Sequence, residues 1–69
     1  MNYEKVKEIS QKAGCYAANM NRFNKLESAK SFSKRTKKMS MIMKVEDEYW
    51  VVYPAEAQRL NKQGYEYAK

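Results

Sequence analysis

The stretch KSFSKRTKK, residues 30–38, carries five positive charges and no negative charge, with Phe32 as its only large apolar side chain. Lysine and arginine side chains at this density suit one kind of chemistry, the neutralisation of phosphate groups along a nucleic acid. The alternative is a solvated helix face, because isolated surface charges contribute little. Lysines one helical turn apart repel one another, however, and this favours a surface that meets an anionic partner.

The positive charge of the chain is concentrated around this stretch. The net charge is +6, and between residues 22 and 44 eight basic residues are opposed by Glu27 alone. Uniform basicity would indicate solubility, whereas a concentrated block is typical of an electrostatic footprint. The candidate residues for binding nucleic acid or another partner are Lys30, Lys34, Arg35, Lys37, Lys38, Arg22, Asn19, Asn21, Lys25 and Lys44.

Catalytic and metal-binding residue types are scarce. The chain has no histidine, two glycines and one cysteine, Cys15, so it offers no histidine base, no glycine-rich phosphate loop and no internal disulfide. One thiolate without histidines does not make a structural zinc site. We therefore expect a non-enzymatic protein without a cofactor or a metal. Cys15 is expected to be a small buried apolar residue rather than a reactive thiol.

The length of 69 residues fits one small domain, residues 1–69. A chain of this size buries only about 60% of its unfolded surface, so self-association as a homodimer would help to stabilise it. No apolar run approaches the length of a membrane span, and the N-terminus lacks an apolar signal core. The sequence predicts a soluble cytoplasmic protein that does not bind membranes.

Helical signals dominate the first half of the chain. Asn2 is a suitable N-cap and Gly14 a suitable stop, so the spacing of Val6 and Ile9 predicts a helix over residues 3–13. Residues 15–23 fit either a strand, in which Tyr16, Ala18 and Met20 alternate, or a helix over 16–23, in which Tyr16, Met20 and Phe23 share a face. We favour the helix, because two asparagines suit a strand poorly.

A third helix is predicted over residues 25–39. Asn24 and Glu27 form a pair with capping-box spacing at its start. At about 100° per residue, Leu26, Phe32 and Met39 share a face that we expect to be buried. The opposite face carries what we call the lysine cluster, Lys30, Lys34, Lys37 and Lys38, which we expect to be exposed.

The period then changes from 3.6 to 2, which predicts a β-hairpin of residues 40–46 and 49–53 with a solvated acidic turn at 46–48. Trp50 falls on the face opposite Tyr49 and Tyr53, and these rings either fill the core or stack on exposed bases. Pro54 can start a short C-terminal helix, about 54–63, that ends before Gly64. Residues 65–69 fit a short strand or a loose tail. The fold class is therefore α+β.

The segment VKEISQKAGCYAANMNRFN, residues 6–24, resembles the helix-turn-helix of lac-repressor-type DNA-binding headpieces. Ile9 and Ser10 match its apolar and small positions, and Ala13-Gly14-Cys15 resembles its Ala-Gly-Val turn. Met20 and Phe23 match the apolar positions of its second helix. The resemblance implies that the following residues face the major groove, with Arg22 matching an arginine that contacts DNA: Ala17, Ala18, Asn19, Asn21 and Arg22.

Two functions follow from these observations. The first is a small basic protein that binds nucleic acid, DNA rather than RNA, by contacting its backbone through the lysine-rich helix. The second is an inhibitor from a phage or mobile element. In size, charge and helix–hairpin layout, the chain resembles the anti-CRISPR proteins, and it would then bind a host protein or nucleoprotein complex through the same basic surface.

Overall fold

The computed structural model describes residues 2–15 and 20–68, and these residues form a mixed α+β fold, as the sequence predicts. A four-stranded antiparallel sheet has the strand order β1-β3-β2-β4. The elements in chain order are α1 (Tyr3–Ala13), β1 (Asn21–Phe23), α2 (Leu26–Arg35), β2 (Met41–Val45), β3 (Glu48–Val52), α3 (Pro54–Lys62) and β4 (Glu66–Tyr67).

One face of the sheet forms the main core together with α1 and α3. Met43 and Trp50 are register partners in the central pair β2–β3, so both side chains point to this face, and both are fully buried. Burying side chains of this size contributes roughly 1.5–3 kcal/mol each. The core residues are Val6, Ile9, Ala13, Cys15, Met43, Val45, Trp50, Val52, Ala57 and Leu60.

The opposite face of the sheet is covered by α2. Ala29 and Val51 are buried there, and the rings of Phe23 and Phe32 lie 5.5 Å apart. Because successive residues of a strand point to opposite faces, Val51 lies beneath α2 while its neighbours Trp50 and Val52 lie in the main core. The sheet is therefore the middle layer, with α1 and α3 on one side and α2 on the other.

The predicted ends of α1 and α3 are confirmed. The Asn2 side chain accepts a hydrogen bond of 2.8 Å from the Lys5 backbone N–H, and Gly14 ends α1 in the left-handed conformation with φ 78°. Pro54 is the first residue of α3, and Tyr65 folds back to pack against the core. The tail also forms a strand, since β4 pairs with β2.

The helix predicted over residues 16–23 is wrong for residues 21–23, which form the edge strand β1. Asn21 pairs with Val51 and Phe23 with Tyr49, so the backbone of this segment bonds to β3. Met20 is not helical either, and residues 16–19 of that predicted helix lie outside the described residues. Phe23 contacts Phe32 on the α2 side of the sheet, whereas Met20 packs against the main core, so the two side chains do not share a face as the predicted helix required.

Helix α2 is shorter than the predicted helix over residues 25–39. It begins after Lys25, which makes no side-chain capping bond, rather than at an Asn24 capping box, and it ends at Arg35 because Thr36 is extended. Lys37 and Lys38 therefore lie in the connection to β2. Met39 lies in the same connection and is 77% exposed, which contradicts its predicted burial.

The hairpin turn also differs from the prediction, because it consists of residues 46–47 only. Glu46 adopts a positive φ of 56°, and Glu48 is the first residue of β3. The Glu48 side chain is buried rather than solvated, and its carboxylate accepts a 3.0 Å hydrogen bond from Trp50 Nε1. No helix of the described residues has the length and apolar character to cross a membrane.

Candidate nucleic-acid interface

Helix α2 places two members of the lysine cluster on the outer surface of the molecule. Lys30 and Lys34 are exposed and lie one turn apart, while the buried Ala29 and the half-buried Phe32 hold the helix against the sheet. The predicted exposure of the whole cluster is confirmed, since Lys37 and Lys38 are exposed as well. Lys30, Lys34 and Lys37 form no ion pair within the described residues.

Lys38 is positioned by Tyr53, the residue that follows β3. Its Nζ donates a 3.3 Å hydrogen bond to the Tyr53 hydroxyl and lies 5.9 Å from the centre of that ring. The 5.9 Å distance nearly equals the sum of the ring radius, the C–O bond length and the 3.3 Å hydrogen bond. The ammonium therefore lies beyond the hydroxyl rather than over the ring, and the contact is a hydrogen bond. Asn21 lines the same small cavity as Lys38 and Tyr53.

Lys44 belongs to the same side of the molecule although it lies on β2. It pairs with Tyr49, which pairs in turn with Phe23, so all three side chains point to the sheet face that carries α2. Lys44 Nζ lies 4.4 Å from the centre of the Tyr49 ring, a cation–π contact. This pairing depends on strand register, which the spacing of residues in the sequence does not specify.

An open groove separates the start of α2 from Tyr49. Its lining residues are Asn24, Lys25, Leu26, Glu27, Lys30 and Tyr49. Three aromatic residues of the hairpin region were predicted either to fill the core or to stack on bases. Trp50 is fully buried in the core, whereas Tyr49 and Tyr53 are half-buried on the α2 side. The cations Lys25 and Lys30 thus share a groove with a tyrosine ring and one carboxylate.

The structure does not bring Arg22 to this surface. Arg22 pairs with Trp50 in register, so its side chain points to the opposite sheet face, where Nη1 lies 3.3 Å from Glu48 Oε1. Glu48 is buried, and a buried carboxylate is destabilising unless a partner neutralises it. Arg22 therefore has a structural partner in Glu48, on the sheet face opposite α2.

The remaining predicted residues occupy different positions. Arg35 is exposed at the end of α2, and its Nε donates to the Ser31 carbonyl of the same helix at 3.3 Å. Asn21 is exposed, but it is presented by a strand rather than by a recognition helix. Asn19 lies outside the described residues.

The surroundings of Cys15 determine how reactive its thiol is. Cys15 is buried, as predicted, and its thiol donates a long 3.7 Å hydrogen bond to the Glu56 carbonyl. Burial raises the pKa of Cys15, the Glu56 charge raises it further, and Arg59 partly offsets both effects. A raised pKa lowers the thiolate fraction and hence the reactivity. Within residues 2–15 and 20–68, no three potential metal ligands cluster.

Comparison with protein-family models, curated proteins and solved structures finds no match for this chain.

Proposed function

We propose that this protein is a non-enzymatic nucleic-acid-binding protein that contacts the phosphate backbone through the surface formed by α2 and the strand face beneath it. The observation that carries the proposal is the set of exposed lysines on that side. Lys30 and Lys34 have no ion-pair partner among the described residues, and Lys44 projects from the same sheet face. Such a charge excess binds phosphates and releases their counterions.

The spacing of these cations suits a polyanion. Lys30 and Lys34 are separated by about 6 Å along the helix axis. Phosphates of one DNA strand follow at about 3.4 Å along the duplex axis, so the lysine separation corresponds to roughly two phosphate steps and both ammonium groups would reach phosphates of the same strand. Backbone contacts of this type position a protein on the nucleic acid but do not read the base sequence.

Sequence-specific recognition is not part of the proposal. The helix-turn-helix resemblance implies a second helix that presents Asn21 and Arg22 to the major groove, whereas these residues lie on β1. Their side chains point to opposite faces of the sheet. We therefore propose binding to DNA with little preference for sequence, and we place the protein in the cytoplasm, where Cys15 stays reduced.

The test compares two variants in which four lysines are replaced. In the first, Lys30, Lys34, Lys37 and Lys38 are changed to Gln. In the control, the exposed residues Lys5, Lys7, Lys12 and Lys62 of α1 and α3 are changed to Gln. Both variants lower the net charge equally, so a difference between them reports the location of the binding surface rather than the total charge.

Binding is measured by fluorescence anisotropy with a random-sequence DNA duplex between 50 and 200 mM salt. The first variant should bind more weakly, and its slope of log affinity against log salt should flatten by roughly 0.9 for each phosphate that the protein no longer neutralises. The control should retain most of the parent slope. Equal losses of affinity in both variants would contradict the assigned surface.

The same assay addresses the second function considered from the sequence, an inhibitor that binds a host protein. If the parent protein binds neither duplex DNA nor single-stranded DNA nor RNA at low salt, the nucleic-acid proposal is rejected. An acidic protein surface would then be the partner chemistry that suits the lysine cluster.

A further inference from the structure

The groove between the start of α2 and strand β3 combines cations with an aromatic ring. Lys25 and Lys30 line it from the helix side, and Tyr49 lines it from the sheet side. Lys44, the register partner of Tyr49, holds its ammonium group 4.4 Å from the ring centre. Two lysines therefore line the groove with the tyrosine, a third lies over its ring, and Glu27 is the single carboxylate among the lining residues.

The Tyr49 ring is open to polar groups. Tyr49 is half-buried and lines the open groove, so part of its side chain is accessible from solvent, and the Lys44 ammonium is the polar group that lies over its ring. Trp50, the next residue, is fully buried and has no such access. Tyr49 thus has the properties of a contact residue for a planar ligand, which the core aromatic does not.

A nucleobase with its phosphate matches this arrangement. Bases stack on exposed tyrosine rings, and the adjoining phosphates bind lysine ammonium groups. The bases of a duplex are stacked within the helix and do not reach such a ring, whereas an unpaired base can. We propose, on the basis of the proposed function, that this groove binds an unpaired nucleotide, with its base on Tyr49 and its phosphates on Lys25, Lys30 and Lys44.

In this arrangement the base takes the place of the Lys44 ammonium on the ring. Lys44 then turns to the adjoining phosphate, so its charge is neutralised by the ligand instead of facing the π electrons. The preferred ligand is consequently single-stranded nucleic acid, or a duplex with an unpaired end, rather than a continuous duplex.

The test combines a substitution of Tyr49 with the removal of bases from the ligand, and it compares the resulting affinities. The probes are a fluorescent 12-nucleotide oligothymidine and a strand of the same length with an abasic site at every position, which retains every phosphate. The protein variants are Tyr49→Leu, which removes the ring, and Tyr49→Phe, which retains it. Binding is measured by anisotropy, after circular dichroism has shown that each variant is folded.

Base stacking predicts a specific pattern of affinities. The parent and Tyr49→Phe should bind the intact strand roughly 5- to 150-fold more tightly than the abasic strand, which corresponds to the contribution of one stacked base. Tyr49→Leu should bind the two strands nearly equally. Its dependence on salt should match that of the parent, because every lysine that neutralises a phosphate is still present.

Three outcomes would overturn the inference. Equal binding of the two strands by the parent would mean that no base is stacked. Equal discrimination by the parent and Tyr49→Leu would place the stacked base elsewhere. If Tyr49→Leu does not fold, crosslinking of the parent to a 5-iodouracil strand must map to Tyr49, and a crosslink at other residues alone rejects the groove.

These outcomes are separate from failure of the proposed function. If the lysine-cluster variant binds both strands more weakly while the parent binds them equally, backbone binding stands and base binding in the groove fails. If the parent binds neither strand nor duplex at low salt, the proposed function fails, and with it the inference.

Discussion

Arg22 and Glu48 form an ion pair across the β1–β3 edge of the sheet, with 3.3 Å between Nη1 and Oε1. The same carboxylate oxygen accepts the 3.0 Å hydrogen bond of Trp50 Nε1. The Glu48 side chain is only 8% exposed, whereas that of Arg22 is 36% exposed. The arginine therefore lets a charged acceptor lie beside the buried tryptophan, and it links the edge strand β1 to the core.

We predict that Arg22→Gln destabilises the fold by about 1 kcal/mol, because it leaves the buried carboxylate less well neutralised and solvent screening limits the loss. Urea unfolding measures the change, with Lys7→Gln on the exposed side of α1 as a charge-matched control that should stay within about 0.5 kcal/mol. Combining Arg22→Gln with Glu48→Gln should be less destabilising than the sum of the single changes. Strict additivity would show that the ion pair has no energetic role.

The parts of the fold that the sequence predicts depend on local signals. Asn2 and Gly14 bound α1 through their own side-chain and backbone preferences, and the alternation from Met41 to Val52 specifies the hairpin. Pro54 starts α3 for the same kind of local reason. Each of these elements is set by residues that are close in the sequence.

The parts that the sequence does not predict depend on distant partners. Residues 21–23 form a strand because β3 supplies backbone partners about 28 positions later, and their own side chains also fit a helix. The proximity of Lys44 to Tyr49 likewise depends on hairpin register. The lysine cluster was predictable as an exposed set, but the groove beside it was not, because the start of α2 and the distant strand β3 form it together.

The second prediction compares Met39, whose burial was predicted wrongly from the sequence, with Met43, which lies in the core. Met39 would lie on the buried face of α2 only if the helix continued past Arg35, where it ends. Met39 is instead 77% exposed, whereas Met43 is fully buried. Met43→Ala should destabilise the protein by about 2–5 kcal/mol, since it removes buried surface and leaves a cavity. Met39→Ala, the matched control, should stay within about 0.5 kcal/mol. Equal unfolding midpoints for the two variants would contradict this assignment.

The third prediction concerns repulsion within α2. Lys30 and Lys34 are like charges four residues apart, and neither forms an ion pair with the described residues. Changing both to Gln should stabilise the free protein at low salt by about 0.2–0.5 kcal/mol. The gain should disappear near 1 M salt, where charges are screened within about 3 Å. A gain that persists at high salt would have to come from another source, such as helix propensity.

The fourth prediction concerns Cys15 and the pH dependence of stability. Burial, reinforced by the charge of Glu56, raises the pKa of the Cys15 thiol in the folded protein, and the nearby Arg59 lowers it only in part. The folded state therefore holds the thiol proton more tightly than the unfolded state does. The stabilisation that comes from this difference in proton affinity is complete below the thiol pKa of the unfolded protein, about 8.5. It is lost as the pH rises through the thiol pKa of the folded protein.

The measurement is the difference in unfolding free energy between the parent and Cys15→Ala, in urea at pH 7 and at pH 10. Taking this difference cancels the titration of the lysines and tyrosines that both proteins share. At pH 7 the parent should be more stable, because Cys15 fills a site that is only 8% exposed. At pH 10 its advantage should shrink, since the unfolded thiol ionises first and draws the equilibrium towards the unfolded state. An advantage that grows with pH would require a lowered thiol pKa, and with it a reactive rather than a structural cysteine.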